Sequence, residues 1–106
     1  MSFFKSLFGD KERERLFDLI KLNADVIERD ESRTRKDAEY LAICLVIDDL
    51  ATRPNGQKGH RVVMTILANE FQQHQMDVMT YLGVKSGLLK LKPEIEQQIR
   101  ERHKKK

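Results

Sequence analysis

Apolar residues recur at helical spacing along most of the chain, and the first long stretch of this kind runs from Asp10 to Asp30. Asp10 is a favourable N-cap for a helix that begins there. The stretch has a wide apolar stripe, made of Leu16, Phe17, Leu19, Ile20, Leu22, Ala24, Val26 and Ile27. A helix with a single neighbour needs only about a third of its circumference apolar. We therefore expect this helix to contact two elements of its own chain, or one element and a partner.

A second helix is predicted from about residue 33 to residue 53, with Ser32 as its N-cap. Its middle, residues 40–47, is apolar throughout, a pattern that a buried strand shares with a buried helix. The charged residues on both sides of this run favour the longer element, the central helix of a bundle. Pro54 disfavours helical geometry in the residue before it, and Pro54-Asn55-Gly56 is typical of a turn.

A third helix is predicted from about Lys58 to Leu82, with Gly83 in the left-handed position that commonly closes a helix. Its apolar stripe consists of Val63, Leu67, Phe71, Val78 and Leu82. Pro93 suits the first turn of a last helix, which has a weak apolar face and is expected to fray from Arg100 onward.

These elements predict an all-α fold, a small antiparallel bundle of three long helices with short helices at both ends. The 106 residues are enough for one domain, and the scarcity of glycine (5) and proline (2) disfavours a fold with many tight turns. We assign residues 1–9 to an N-terminal arm and residues 10–106 to the bundle domain, with a basic tail from about residue 100.

The N-terminal arm is the most unusual segment of the sequence. Its apolar residues share one face of a short helix: Phe3, Phe4, Leu7 and Phe8. Such a face can pack on the protein's own core or on a dimer mate, enter the groove of a partner, or lie in a membrane surface. All three interpretations remain open at this point.

Positive charge is concentrated at the end of the chain, where residues 85–106 carry 8 Lys/Arg against 3 Asp/Glu. The cations of the tail are Arg100, Arg102, Lys104, Lys105 and Lys106. They can contact the phosphates of nucleic acid or of an anionic membrane. The alternative is a solvated helix end, where cations complement the negative pole of the helix.

Two residues inside apolar stretches suggest different roles. Cys44 is the only cysteine, so it has no partner for an intramolecular disulfide or a metal-binding pair. We expect it to be a small core residue of a reduced, cytoplasmic protein. Asn23 lies in the apolar sector of the first helix, where it either fixes the register of a helix–helix contact or lies at the solvent edge.

A metal site can be drawn around His74, with Glu70 one turn before it and Asp77 one turn after it. Paired carboxylate metal sites in bundles use Glu-x-x-His on two helices, and this chain lacks that spacing. The sequence favours a buried histidine that is hydrogen bonded to the backbone or to a carboxylate. We therefore predict no metal and no cofactor.

Motifs for phosphate-binding loops, catalytic triads and zinc sites are absent from the sequence. It therefore predicts a non-catalytic interaction protein, a homodimer that also binds another protein through apolar helix surface, with no small-molecule substrate. The alternative is a peripheral protein that binds a membrane or nucleic acid through the arm and the tail. A small metal-dependent enzyme is the third hypothesis.

Overall fold

The structure is a computed structural model that describes residues 3–104, with side chains from Lys11 onward. Within these residues five α-helices follow one another: α1 (Phe3–Asp30), α2 (Arg35–Ala51), α3 (Gly56–Glu70), α4 (Gln75–Lys85) and α5 (Pro93–His103). A short 3₁₀ helix, Gln72–His74, lies between α3 and α4. The described residues contain no strand, so the predicted all-helical fold class is confirmed.

Helix α1 differs from its prediction because the backbone is helical from Phe3, not from Asp10. The prediction of a separate short helix before Asp10 is therefore wrong. A single glycine costs a helix about 1 kcal/mol, and Gly9 is evidently tolerated within this long element. The inward stripe of α1 is fully covered and consists of Leu16, Ile20, Ala24 and Ile27.

Helix α2 is the centre of the core, as its apolar run predicts. Its buried residues are Ala38, Tyr40, Leu41, Ala42, Ile43, Cys44, Val46, Ile47 and Leu50. The N-cap is Thr34, whose hydroxyl accepts a hydrogen bond from the backbone N–H of Asp37, so the prediction of Ser32 is wrong. Ser32 instead turns the chain between the helices with a positive φ of 52°.

The third predicted helix is in fact two helices, because the chain leaves helical geometry at Phe71 (φ −131°, ψ 44°). Its apolar stripe nevertheless lies in the core, where Val63, Leu67 and Val78 are all at most 1% exposed. Gly83 does not close a helix, since α4 continues to Lys85 and Gly87 takes the positive φ of 80°.

The core is formed where α1 packs on α2 and α3, while α4 packs on α2. Helix α5 begins at Pro93, as predicted, and stays helical to His103 instead of fraying from Arg100. None of the residues of α5 is buried. Polar and aromatic contacts from its last turn therefore determine how α5 is held.

Candidate functional site

A cleft opens between α1 and α2, and we call it the α1–α2 cleft. Its volume is about 350 Å³. Its apolar wall consists of Val26, Ile27, Leu41, Cys44 and Leu45. Its polar residues are Asn23, Asp30, Glu31, Asp48 and His103. An apolar cleft with a few polar groups at its edge is the general form of a binding site.

Three large apolar side chains are exposed on α1 and α2, and two of them, Val26 and Leu45, line this cleft. Leu22 is 60% exposed, Val26 37% and Leu45 51%. Leu22 and Val26 are one helical turn apart on α1, so they share a face. We call Leu22, Val26 and Leu45 the α1–α2 face. Leu22 and Val26 belong to the wide stripe of the first helix. Leu45 lies in a run that is apolar throughout, so the sequence does not indicate which way its side chain points.

The interior of the cleft holds the two residues that the sequence singled out within apolar stretches. The Asn23 side-chain amide donates a hydrogen bond to the Leu19 carbonyl oxygen, one turn earlier, at 2.9 Å. Cys44 is 1% exposed, and burial raises the pKa of its thiol to about 12. The prediction of a buried core cysteine is confirmed, and its thiol stays protonated at neutral pH.

His103 lines the cleft, and its ring contacts two tyrosines. Its Nε2 is 2.7 Å from the Tyr40 hydroxyl, and its ring stacks on Tyr81 with centroids 4.3 Å apart. The Tyr81 hydroxyl in turn donates to an Asp48 carboxylate oxygen at 2.7 Å, and Lys85 Nζ lies 2.5 Å from the other oxygen. Burial lowers the pKa of His103, so the imidazole is neutral at pH 7.

Arg102 fastens the last turn of α5 to two other helices. It donates to Asp37 of α2 at 2.9 Å and to Asp77 of α4 at 3.0 Å. Its guanidinium also lies 3.8 Å above the Tyr40 ring. Despite the burial of Asp37, hydrogen bonds from Arg102 and Arg33 lower the pKa of its carboxyl. Arg102 is therefore a structural link between α2, α4 and α5.

Arg33 also holds the last turn of α5, although no sequence pattern indicated a role for this residue. Its side chain is 2% exposed and pairs with Asp37 at 2.6 Å and with Glu31 at 2.9 Å. It also donates to the carbonyl oxygens of Arg102 and Lys104 at the end of α5. A buried arginine normally needs such partners, and here two carboxylates near in sequence and two carbonyl oxygens at the end of α5 supply them.

The predicted basic tail is thus divided by the fold. Arg102 is directed into the domain, whereas Arg100 is exposed and Lys104 pairs with Glu101 at 3.1 Å. Lys105 and Lys106 lie outside the described residues. The predicted contact face of Phe3, Phe4, Leu7 and Phe8 lies outside the described side chains.

The three residues of the hypothetical metal site have separate partners. Glu70 pairs with Arg13 at 3.2 Å, and Asp77 pairs with Arg102. His74 is fully buried, and its Nε2 donates to a Glu39 carboxylate oxygen at 3.0 Å. This is the carboxylate-bonded histidine that the sequence favoured. Within the part of the chain that the structure describes, no group of His, Cys, Asp or Glu side chains is arranged to hold a metal ion.

A second group of exposed apolar residues lies on α4 and the loop after it: Met76, Met79, Leu88 and Leu89. Leu89 packs close to Gly83, since a Cβ built on Gly83 would be 3.1 Å from the Cβ of Leu89. None of these four residues lines the α1–α2 cleft. The α1–α2 face is the better candidate because apolar exposure and concavity occur together there.

Comparison with protein-family models, with curated proteins and with solved structures found no match to this chain. Across residues 3–104, no helix has the length and apolar character needed to cross a bilayer. The candidate function therefore rests on the geometry of the cleft and its neighbouring face.

Proposed function

We propose that this chain is a non-catalytic helical interaction protein that binds another protein through the α1–α2 face. The observation that carries the proposal is the exposure of Val26 and Leu45, which line one cleft, and of Leu22, one helical turn before Val26. Isolated exposed apolar residues are common on protein surfaces, but adjacent ones beside a concave surface are typical of interaction sites. Covering these three side chains would contribute roughly 3 kcal/mol of apolar burial.

The architecture supports this proposal. We infer that α1, α2 and α3 are the long helices of an antiparallel bundle, a fold that presents pairs of neighbouring helices to solvent. Such a pair forms a groove into which a further helix can pack, as in many helix-in-groove complexes. The backbone of α1 and α2 is already ordered by the core, so a partner would bind a rigid surface.

The chemistry of the cleft favours binding over catalysis. Its thiol, Cys44, is protonated at neutral pH because burial raises its pKa to about 12. Asp48 is engaged by Lys85 and by the Tyr81 hydroxyl, and the imidazole of His103 is hydrogen bonded to Tyr40. Asp48 and His103, two candidate acids or bases of the cleft, are therefore already engaged by structural partners.

Site-specific photo-crosslinking tests the proposal. A photoreactive phenylalanine analogue is placed at Leu22 or Leu45, with a matched control at Gln98, an exposed residue on α5. After expression in cells and irradiation, the crosslinked products are identified by mass spectrometry. We expect the same partner protein from both face positions and not from the control. No product, or the same products from all three positions, would contradict the proposal.

The same experiment tests for the homodimer that the sequence predicts. A crosslinked product of twice the chain mass would show that a second copy covers the face. Sedimentation equilibrium of the native protein and of Leu45→Gln then measures whether Leu45 stabilises that contact. At protein concentrations where the native protein forms dimers, we expect a larger fraction of the Leu45→Gln variant to be monomer.

A further inference from the structure

The residues that line the α1–α2 cleft carry a charge opposite to that of the whole chain. The chain carries a formal net charge of +3 at pH 7. The cleft is lined by the carboxylates Asp30, Glu31 and Asp48, and none of its described lining residues is lysine or arginine. His103 adds no positive charge because burial lowers its pKa. A ligand that enters the cleft therefore meets apolar walls and negative groups together.

These carboxylates already have cationic neighbours, and the exposure of those neighbours differs. Asp30 pairs with Arg29 at 2.9 Å and Asp48 with Lys85 at 2.5 Å, and the side chains of both cations are more than half exposed. Exposed pairs of this kind are worth at most about 1 kcal/mol, so an incoming cation can share or replace such a neighbour. Glu31 differs, since its partner Arg33 is buried.

The exposed apolar residues extend from this negative region along α1. Val26 belongs to both the cleft and the α1–α2 face, and Leu22 lies one turn farther along the helix. Leu45 supplies the facing side chain from α2. A ligand that covers the whole surface must therefore be apolar along one side and carry cations that reach Asp30 at the end of α1 and Asp48 on α2.

We propose that the occupant of the α1–α2 cleft is an amphipathic helix of a partner protein, apolar on one face and bearing lysine or arginine at the face edge. Its apolar residues cover Leu22, Val26 and Leu45, and its cations lie against Asp30 and Asp48. This inference rests on the proposed function and adds the charge class of the partner. Apolar contact supplies most of the affinity, while the opposite charges select this partner over acidic helices.

Two synthetic helical peptides test the inference by fluorescence anisotropy with the full chain at about 0.15 M salt. One peptide has leucine at helical spacing with lysine at the remaining positions, and the other replaces every lysine with glutamate. We expect the leucine–lysine peptide to bind about tenfold or more tightly than the leucine–glutamate peptide. Equal binding of the two, or no binding of either, would overturn the inference.

Variants then locate the binding site of the leucine–lysine peptide. Asp30→Asn removes one negative charge without a change of shape, and we expect it to weaken binding about two- to fivefold. Asp18→Asn is the matched control, because Asp18 is an exposed carboxylate of the same helix outside the cleft. Leu45→Gln should weaken binding more than Asp30→Asn does. Binding that none of these variants alters would place the peptide elsewhere and refute the inference.

The outcomes also separate this inference from the proposed function. If both peptides bind equally and Leu45→Gln weakens both, the α1–α2 face is an interaction surface without the inferred charge preference. If neither peptide binds and Leu45→Gln dissociates a homodimer, the occupant is a second copy of this chain. In either case the inferred basic partner helix is refuted, while the proposed role of the α1–α2 face in protein binding stands.

Discussion

The turn between α2 and α3 brings the backbone of Gly56 close to the backbone of Leu50. A substitution that adds one methyl group at Gly56 tests this contact. Gly56 is the buried first residue of α3. A Cβ at this position would lie 1.7 Å from the carbonyl oxygen of Leu50, near the end of α2. A backbone oxygen cannot rotate away as the end of a side chain can. The substitution Gly56→Ala therefore requires α2 and α3 to separate at the turn.

The expected loss of stability follows from two opposing effects. Overpacking a well-filled site typically costs about 1–3 kcal/mol, and here the displaced atom belongs to the backbone. Alanine recovers up to about 1 kcal/mol because it restricts the unfolded chain. We therefore expect Gly56→Ala to lower the free energy of unfolding by about 2 kcal/mol, which corresponds to a fall in Tm of about 8–16 °C. Thermal and urea denaturation, followed by circular dichroism, measure both quantities.

Gly83→Ala is the matched control, since it adds the same methyl group inside α4. Its Cβ would lie 3.1 Å from the Cβ of Leu89, a loop side chain that can shift. Alanine is also favoured over glycine within a helix by up to about 1 kcal/mol. We expect this control to change the Tm by less than about 5 °C. If Gly56→Ala melts as high as the control, the close approach of α2 and α3 is not as described.

Three further predictions concern the end of α5 and the core thiol. Burial lowers the pKa of His103, so the folded state resists protonation of its imidazole. The contribution of the neutral imidazole to the stability of the fold should therefore be lost as the pH falls below about 6.5, the ordinary pKa of histidine. Urea titrations between pH 8 and pH 5 should show this loss in the native protein and less of it in His103→Gln. Burial of Cys44, which also raises the pKa of its thiol, predicts that a thiol reagent at pH 8 reacts with the folded protein no faster than the protein opens. Rapid reaction without denaturant would contradict this burial. Arg102→Gln should accelerate hydrogen exchange along α5, because it removes ion pairs to Asp37 and Asp77, while Arg100→Gln should leave exchange unchanged. Equal exchange in these two variants would mean that Arg102 does not secure the helix.

Local sequence patterns were sufficient for much of the fold. The apolar run of residues 40–47 is buried except for Leu45, and Pro93 begins the last helix. Proline restricts its own backbone and that of its predecessor, so its effect is readable from the sequence alone. The break at Phe71 was missed because the apolar stripe continues through it, and neither glycine nor proline marks the position.

The candidate site was only partly predictable, since most of its contacts join residues far apart in the chain. The wide stripe of the first helix predicted either two neighbours in its own chain or one neighbour and a partner, and α1 packs on both α2 and α3. Leu22 and Val26 of that stripe remain exposed. The direction of Leu45 could not be read from a run that is apolar on every side. The contacts of Arg102 and His103 depend on where α5 is placed, which helical periodicity does not specify.

The way in which α5 is held has a consequence for the order in which this protein assembles during synthesis. The buried apolar residues of the core all precede residue 79, whereas α5 contributes none. The ribosome therefore adds every buried apolar residue of the described core before it adds the first residue of α5. We expect the core to form without α5, which then docks onto its surface through Arg33, Tyr40 and Tyr81.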